Sequence, residues 1–88
     1  MKLTVKFTAE GGDAMTATFD NTNGTVSNDR GGKGTFTYDP ATHTTTISAD
    51  DFNGTVTYAN APPPEIGAAT PYVNSYGQKG LATLVAIA

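Results

Sequence analysis

Met1-Lys2-Leu3-Thr4-Val5-Lys6-Phe7-Thr8 alternates apolar and polar side chains with a period of two. Successive side chains of a strand point to opposite faces, so this stretch has a dry face of Leu3, Val5 and Phe7 and a wet face of lysine and threonine. Met15-Thr16-Ala17-Thr18-Phe19-Asp20, Thr35-Phe36-Thr37-Tyr38 and Thr55-Val56-Thr57-Tyr58 repeat the pattern. One dry face and one wet face, four times over, is the mark of an antiparallel all-β protein.

The segments between these stretches read as turns. Ala9-Glu10-Gly11-Gly12-Asp13 joins a first strand at about Lys2–Thr8 to a second at about Ala14–Asp20. Asn23-Gly24 signals a type I′ turn into a weak strand at Thr25–Ser27. A polar loop, Asn28 to Gly34, precedes Thr35–Asp39. Asp39-Pro40 then turns the chain into Thr44–Ala49, with Thr45 and Ile47 inward. Asp50 to Gly54 turns it again into Thr55–Tyr58. Asn60–Gly80, with Pro62-Pro63-Pro64 and Pro71, shows neither strand nor helix period and reads as a long connection. Leu81–Ala88 is apolar on both faces, as in a strand covered on both sides. It is either a central core strand or an oligomer interface. The expected fold is a single domain, 1–88: a small antiparallel β-sandwich or barrel-like domain of six to seven strands. Residues 1–59 are hairpin-connected strands, 60–80 the Pro-rich connection and 81–88 the last strand.

Eighty-eight residues make one domain with a thin core, drawn from Leu3, Val5, Phe7, Met15, Phe19, Val26, Phe36, Tyr38, Ile47, Phe52, Val56, Tyr58, Leu81, Leu84, Val85 and Ile87. No cysteine is present to staple it. A short chain without staples gains burial by association, so a homo-oligomer is expected. The net charge is −3, and the five basic residues are scattered along the chain, unlike the clustered cations of a nucleic-acid binder. Charged residues make up 15% of the chain, against roughly a quarter in an average soluble domain, and threonine and asparagine keep the surface wet instead. The amino terminus alternates where a signal peptide would carry a continuous apolar core. The longest apolar run, Leu81–Ala88, is far shorter than the roughly 20 residues of a membrane-spanning helix. Synthesis in a cytoplasm, without membrane insertion, is the expectation.

Candidate chemistry is sparse. Gly31-Gly32-Lys33-Gly34 could cradle an anion, but it lacks the spacing and the helix of a phosphate loop and reads as a hairpin loop. Asp50 and Asp51 are adjacent, so on a strand they would face opposite ways and could not share a proton; they read as turn residues. Asp51-Phe52-Asn53-Gly54 resembles part of a calcium loop, but Ala49 stands where the first ligand belongs. His43, the one histidine, has no motif-fixed nucleophile beside it and reads as an exposed turn neighbour. The Thr-x-Thr rows fit strand propensity better than an ice- or glycan-binding array, because their spacing is irregular. No catalytic residue, cofactor or metal site is assigned, and an enzyme is not expected. The partner-binding candidates are Pro63, Pro64, Tyr72, Tyr76, Leu81, Leu84, Val85 and Ile87. Tyrosines on a proline-stiffened loop offer contact area at low ordering cost.

Lys2-Leu3-Thr4-Val5-Lys6-Phe7-Thr8, Glu10 and Met15-Thr16-Ala17-Thr18-Phe19-Asp20 resemble the start of small structural proteins from tailed-phage and prophage virion modules. The likeness covers roughly the first twenty residues. The Gly-, Thr- and Pro-rich remainder is similar in style to head-decoration and tail-associated β domains. The resemblance implies a non-enzymatic virion component, made in the host cytoplasm, that self-associates and docks on a capsid or tail surface. The alternatives are a glycan- or host-protein-binding β module, using Tyr72, Tyr76 and the hairpin loops as its contact surface, and a small phage inhibitor of a host protein. Acidity would suit such an inhibitor on a basic target.

Overall fold

Every alternating stretch is a strand in the structure, a computed structural model that describes residues 1–88. The strands are β1 (Lys2–Ala9), β2 (Ala14–Asp20), β3 (Thr25–Asn28), β4 (Lys33–Asp39), β5 (Thr44–Ala49), β6 (Asn53–Tyr58), β7 (Ala69–Asn74) and β8 (Lys79–Ile87). Each pairs antiparallel with the next. β8 then pairs with β1 and closes the sheet into a barrel.

The expected six- to seven-stranded sandwich is therefore corrected to an eight-stranded, up-and-down closed barrel. Two physical reasons lie behind the difference. First, residues 60–80 are not a structureless connection. They contain β7 and a tight turn at 75–78, leaving 59–68 as the long link. Pro71 hid this strand, because proline cannot donate to a ladder. Here the Pro71 carbonyl accepts from the Ala59 N–H at 2.9 Å, just past the last β6–β7 pair, Tyr58 with Tyr72. A residue's N–H and C=O point to the same side of an antiparallel strand. The missing donor thus falls where β6 ends. Second, closure needs strongly coiled strands, and Gly34 and Gly80 permit it. A Cβ at Gly34 would fall on the Ser48 carbonyl oxygen, and one at Gly80 on that of Thr8.

The Asn23-Gly24 turn also differs from expectation. A type I′ turn needs positive φ at both central residues, and only Gly24 has it, at 71°. The Asp20 carboxylate instead accepts from the Thr22 N–H, and the Gly24 N–H reaches back to the Asp20 carbonyl in a longer loop.

The inward faces form one core of Val5, Phe7, Ala17, Phe19, Val26, Ile47, Val56, Tyr58, Tyr72, Ala82 and Leu84. Four rings make an edge-to-face chain through it: Tyr72 to Phe7 at 5.2 Å, Phe7 to Phe19 at 6.4 Å and Phe19 to Phe36 at 5.1 Å. Such pairs add about 0.5–1.5 kcal/mol each beyond simple burial. The outward faces carry most of the threonines, cross-linked in places, as Thr4 with Thr18 and Thr44 with Thr57, while Thr45 and Thr70 are buried on the inward face. β8 is a core strand on its inward face, and its outward face is open to solvent. Ala82 and Leu84 lie in the core, while Leu81 is half exposed. Near its end a bulge opposite Thr4 and Val5 leaves Val85 as the extra residue. No helix of the structure is long and apolar enough to cross a membrane.

Candidate functional site

An up-and-down barrel collects its odd-numbered loops at one end and its even-numbered loops and both termini at the other. Three places follow: a rim, an opposite end and an outer wall.

The rim is formed by the loops after β1, β3, β5 and β7, each tied to the next. Arg30 forms an ion pair with Asp13 at 3.0 Å and donates to the Ala14 carbonyl at 3.2 Å, joining the first loop to the second. Asn28 joins the second to the third. Its amide oxygen accepts from the backbone N–H groups of Arg30 and Gly32, and its amide nitrogen donates to both oxygens of Asp51 at 3.0 and 2.9 Å. The Tyr76 hydroxyl donates to the Asn53 carbonyl at 2.8 Å and its ring meets Phe52 edge-on at 5.2 Å, joining the third to the fourth. The Glu10 N–H donates to the Lys79 carbonyl and completes the ring. Beneath it is a cavity of about 130 Å³ over Phe7, Phe19, Phe52 and Tyr72. Burial, reinforced by the charge of Asp13, raises the pKa of Tyr72 above its ordinary value, so its hydroxyl stays neutral.

The opposite end holds a larger cavity, about 300 Å³, bordered by Leu3, Phe36, Tyr38, Tyr58 and Leu84 and covered by Pro62 and Pro63. Burial pushes the Tyr58 hydroxyl up to about 12, an effect reduced by the Thr45 side chain and slightly reinforced by Tyr38. His43 stands beside this end, half-buried rather than exposed, with φ 54° and Nδ1 3.5 Å from the Tyr38 hydroxyl. No nucleophile is aligned with it.

The outer wall of β7 and β8 carries the exposed apolar residues Val73 and Leu81, with Val85 exposed at the bulge; Ile87, also exposed, pairs with inward-facing Leu3 and so lies at the barrel end rather than on the wall. Pro71 lies directly across from Leu81. Ile66, 60% exposed, lies on the connection next to Gly67, whose N–H donates to the Leu84 carbonyl at 2.8 Å.

The eight partner-binding candidates are divided among these places. Leu81, Val85 and Ile87 are exposed on β8, and Pro64 is exposed on the connection. Tyr72, Leu84 and Pro63 are corrected. All three are buried, because β7 and β8 turn Tyr72 and Leu84 inward and the connection folds Pro63 over the barrel end. Tyr76 is 63% exposed but acts as a loop staple through its hydroxyl and its ring. Tyr72 and Tyr76 therefore do not form one contact surface. Sequence reasoning missed Val73 and Ile66, and the signal for Val73 was its alternation with Pro71 and Ala69 on the outward face of β7. It also missed Asn28, which looks like any loop asparagine until Asp51 is placed beside it. Asp50 and Asp51 serve as turn residues, Asp50 accepting from the Lys33 N–H at 3.3 Å, and no group of three or more potential metal ligands forms. Comparisons with protein-family models, with curated proteins and with solved structures find no significant match to this chain.

Proposed function

We propose that this chain is a non-enzymatic assembly protein that associates with a second copy of itself through the outer wall of β7 and β8. The observation that carries the reading is the concentration of exposed apolar side chains there, on a barrel whose core is already closed. A closed sheet offers no free edge, so association must proceed face to face rather than by strand addition. A stable interface takes about 800 Å² from each partner. That is roughly a sixth of the 4974 Å² surface, comparable to the outer wall of two of the eight strands with their flanks. Both signs of charge border the patch. Lys6 pairs across from Thr83, and Glu10 is bonded to Lys79 through the backbone. A two-fold copy can thus set a lysine against a glutamate. The polar outward strands reverse the pattern of a lipid-facing barrel, which supports work in water.

The resemblance of the first two strands to tailed-phage virion modules extends the reading to a decoration or tail-associated protein. Small symmetric assemblies on a larger surface suit such a role. The glycan-binding alternative is left with Tyr76 and the hairpin loops, since Tyr72 is buried in the core.

Sedimentation equilibrium over a concentration series into the millimolar range tests the proposal. Wild-type protein is expected to dimerise, and Leu81→Asp to remain folded and monomeric. A wild-type chain that stays monomeric throughout, or a Leu81→Asp variant that dimerises unchanged, would overturn it.

A further inference from the structure

The barrel is not filled at the end where its termini meet. The cavity of about 300 Å³ there is walled chiefly by carbon: Leu3, Val5, Phe19, Phe36 and Leu84, with Pro62 and Pro63 across the opening. No charged side chain lines it. Its polar groups are Asn21, Thr45 and the hydroxyls of Tyr38 and Tyr58. The lining is mostly apolar, so water against the carbon walls finds few polar contacts there and is readily displaced by an apolar group. An enclosed apolar cavity of about 150 Å³ takes a benzene ring, so this pocket, about 300 Å³ and open at its mouth, has room for two fused rings.

We propose that this cavity is a binding site for an uncharged, compact aromatic molecule of about two fused rings carrying one hydroxyl or ring N–H. The face and edge of Phe36, already packed edge-on against Phe19 at 5.1 Å, offer the matching apolar surface. The single polar group of the ligand meets the Tyr58 hydroxyl, which remains neutral throughout the physiological range and can donate or accept. An ionised ligand is disfavoured, because the walls supply no counter-charge for a group stripped of water. Entry is past residues 60–66. That span is tied to the barrel at its flanks, by the Ala59 N–H on the Pro71 carbonyl and the Gly67 N–H on the Leu84 carbonyl. Between those ties Pro62 and Pro63 rest on the cavity by apolar contact, so they can lift without breaking a strand ladder. This site is separate from the outer wall of β7 and β8 and does not depend on self-association.

The test is a titration of isotope-labelled full-length chain, followed by amide chemical shifts, with 2-naphthol, naphthalene and naphthalene-2-sulfonate as probes. Saturable shifts are expected with 2-naphthol at Leu3, Phe36, Thr45 and Tyr58, with the sulfonate at least tenfold weaker. Tyr58→Phe should weaken 2-naphthol several-fold while leaving naphthalene unchanged. Leu3→Trp, or Tyr38→Trp on the half-exposed wall, should fill the cavity and weaken 2-naphthol at least tenfold while keeping the dispersed β spectrum. Absence of saturable shifts up to the probe's solubility would overturn the proposal. So would shifts confined to the rim at Met15, Ile47 and Phe52, or to the outer wall at Leu81.

Discussion

Replacing Thr70 by valine should make this protein more stable. Thr70 lies on the inward face of β7 opposite Ala82, is 6% exposed, and its hydroxyl is the one buried side-chain polar atom without a hydrogen-bond partner. An unsatisfied buried hydroxyl costs about 1–3 kcal/mol relative to its hydrated state. Valine has nearly the same shape, keeps the β-branch that suits a strand and puts a methyl group where the hydroxyl sits. Thr70→Val should therefore gain about 1–2 kcal/mol, from the relieved desolvation cost and the added apolar burial. For a domain of this size each kcal/mol shifts the thermal midpoint by about 4–8 °C. The assay is urea unfolding of wild type, Thr70→Val and Thr70→Ser, read as the midpoint at constant m-value, with thermal melts in parallel. Thr70→Ser keeps the hydroxyl and loses a methyl group, so it should fall below wild type by about 1 kcal/mol. A Thr70→Val variant less stable than wild type, with an unchanged m-value, would refute the reasoning and show that the hydroxyl is satisfied in solution.

Gly34→Ala should destabilise the barrel by about 3 kcal/mol, because the new Cβ meets the Ser48 carbonyl and β4 and β5 must part; urea unfolding reads it directly. Stability should fall as pH rises from 10 towards 12. The folded-state pKa of Tyr58 is raised to about 12, so its contribution is fully present below the unfolded value of 10 and is lost as pH climbs through the folded value. Chemical denaturation across that range should show a loss of roughly 2–3 kcal/mol from Tyr58, and Tyr58→Phe should remove that share and leave the fall that the raised pKa of Tyr72 contributes. Asn28→Ala should cost about 1–3 kcal/mol, since it strips partners from the Arg30 and Gly32 N–H groups and from Asp51 together. Arg30→Ala should cost no more than about 0.5 kcal/mol, because its ion pair with Asp13 is solvent-exposed; paired unfolding curves separate the two.

The strands were legible where alternation was clean. β1, β2, β5 and the inward sets Leu3, Val5, Phe7 and Thr45, Ile47 could be read from a period of two, and the structure places them so. β7 was not legible, because Pro71 breaks the pattern at a place harmless only once Ala59 is known to be its neighbour. Closure was equally hidden. Nothing local in Leu3 announces that Ile87 lies across from it, and the glycines that allow the coil look like ordinary turn glycines. In β8 the two apolar faces are visible in the sequence, and the structure turns Ala82 and Leu84 inward and Leu81 outward. Tyr72 was misplaced because its direction depends on the register of a strand that the sequence did not reveal.

The seam between β1 and β8 has a consequence for how the chain is made. Lys2 and Ala88 exchange backbone hydrogen bonds at 2.7 and 2.8 Å, so the first strand acquires its second neighbour only after the last one has left the ribosome. Until then β1 and β7 are both open edges, and the pairing that removes them is the one of greatest sequence separation in the fold. A ribosome-stalled chain ending before Lys79 should therefore be protease-sensitive and prone to pairing with other nascent chains. The same adjacency of ends makes the barrel a natural subject for circular permutation. A linker from Ala88 to Met1 with new termini in the 59–68 connection would turn the slowest contact into a local hairpin, and such a permutant should fold faster than the native order.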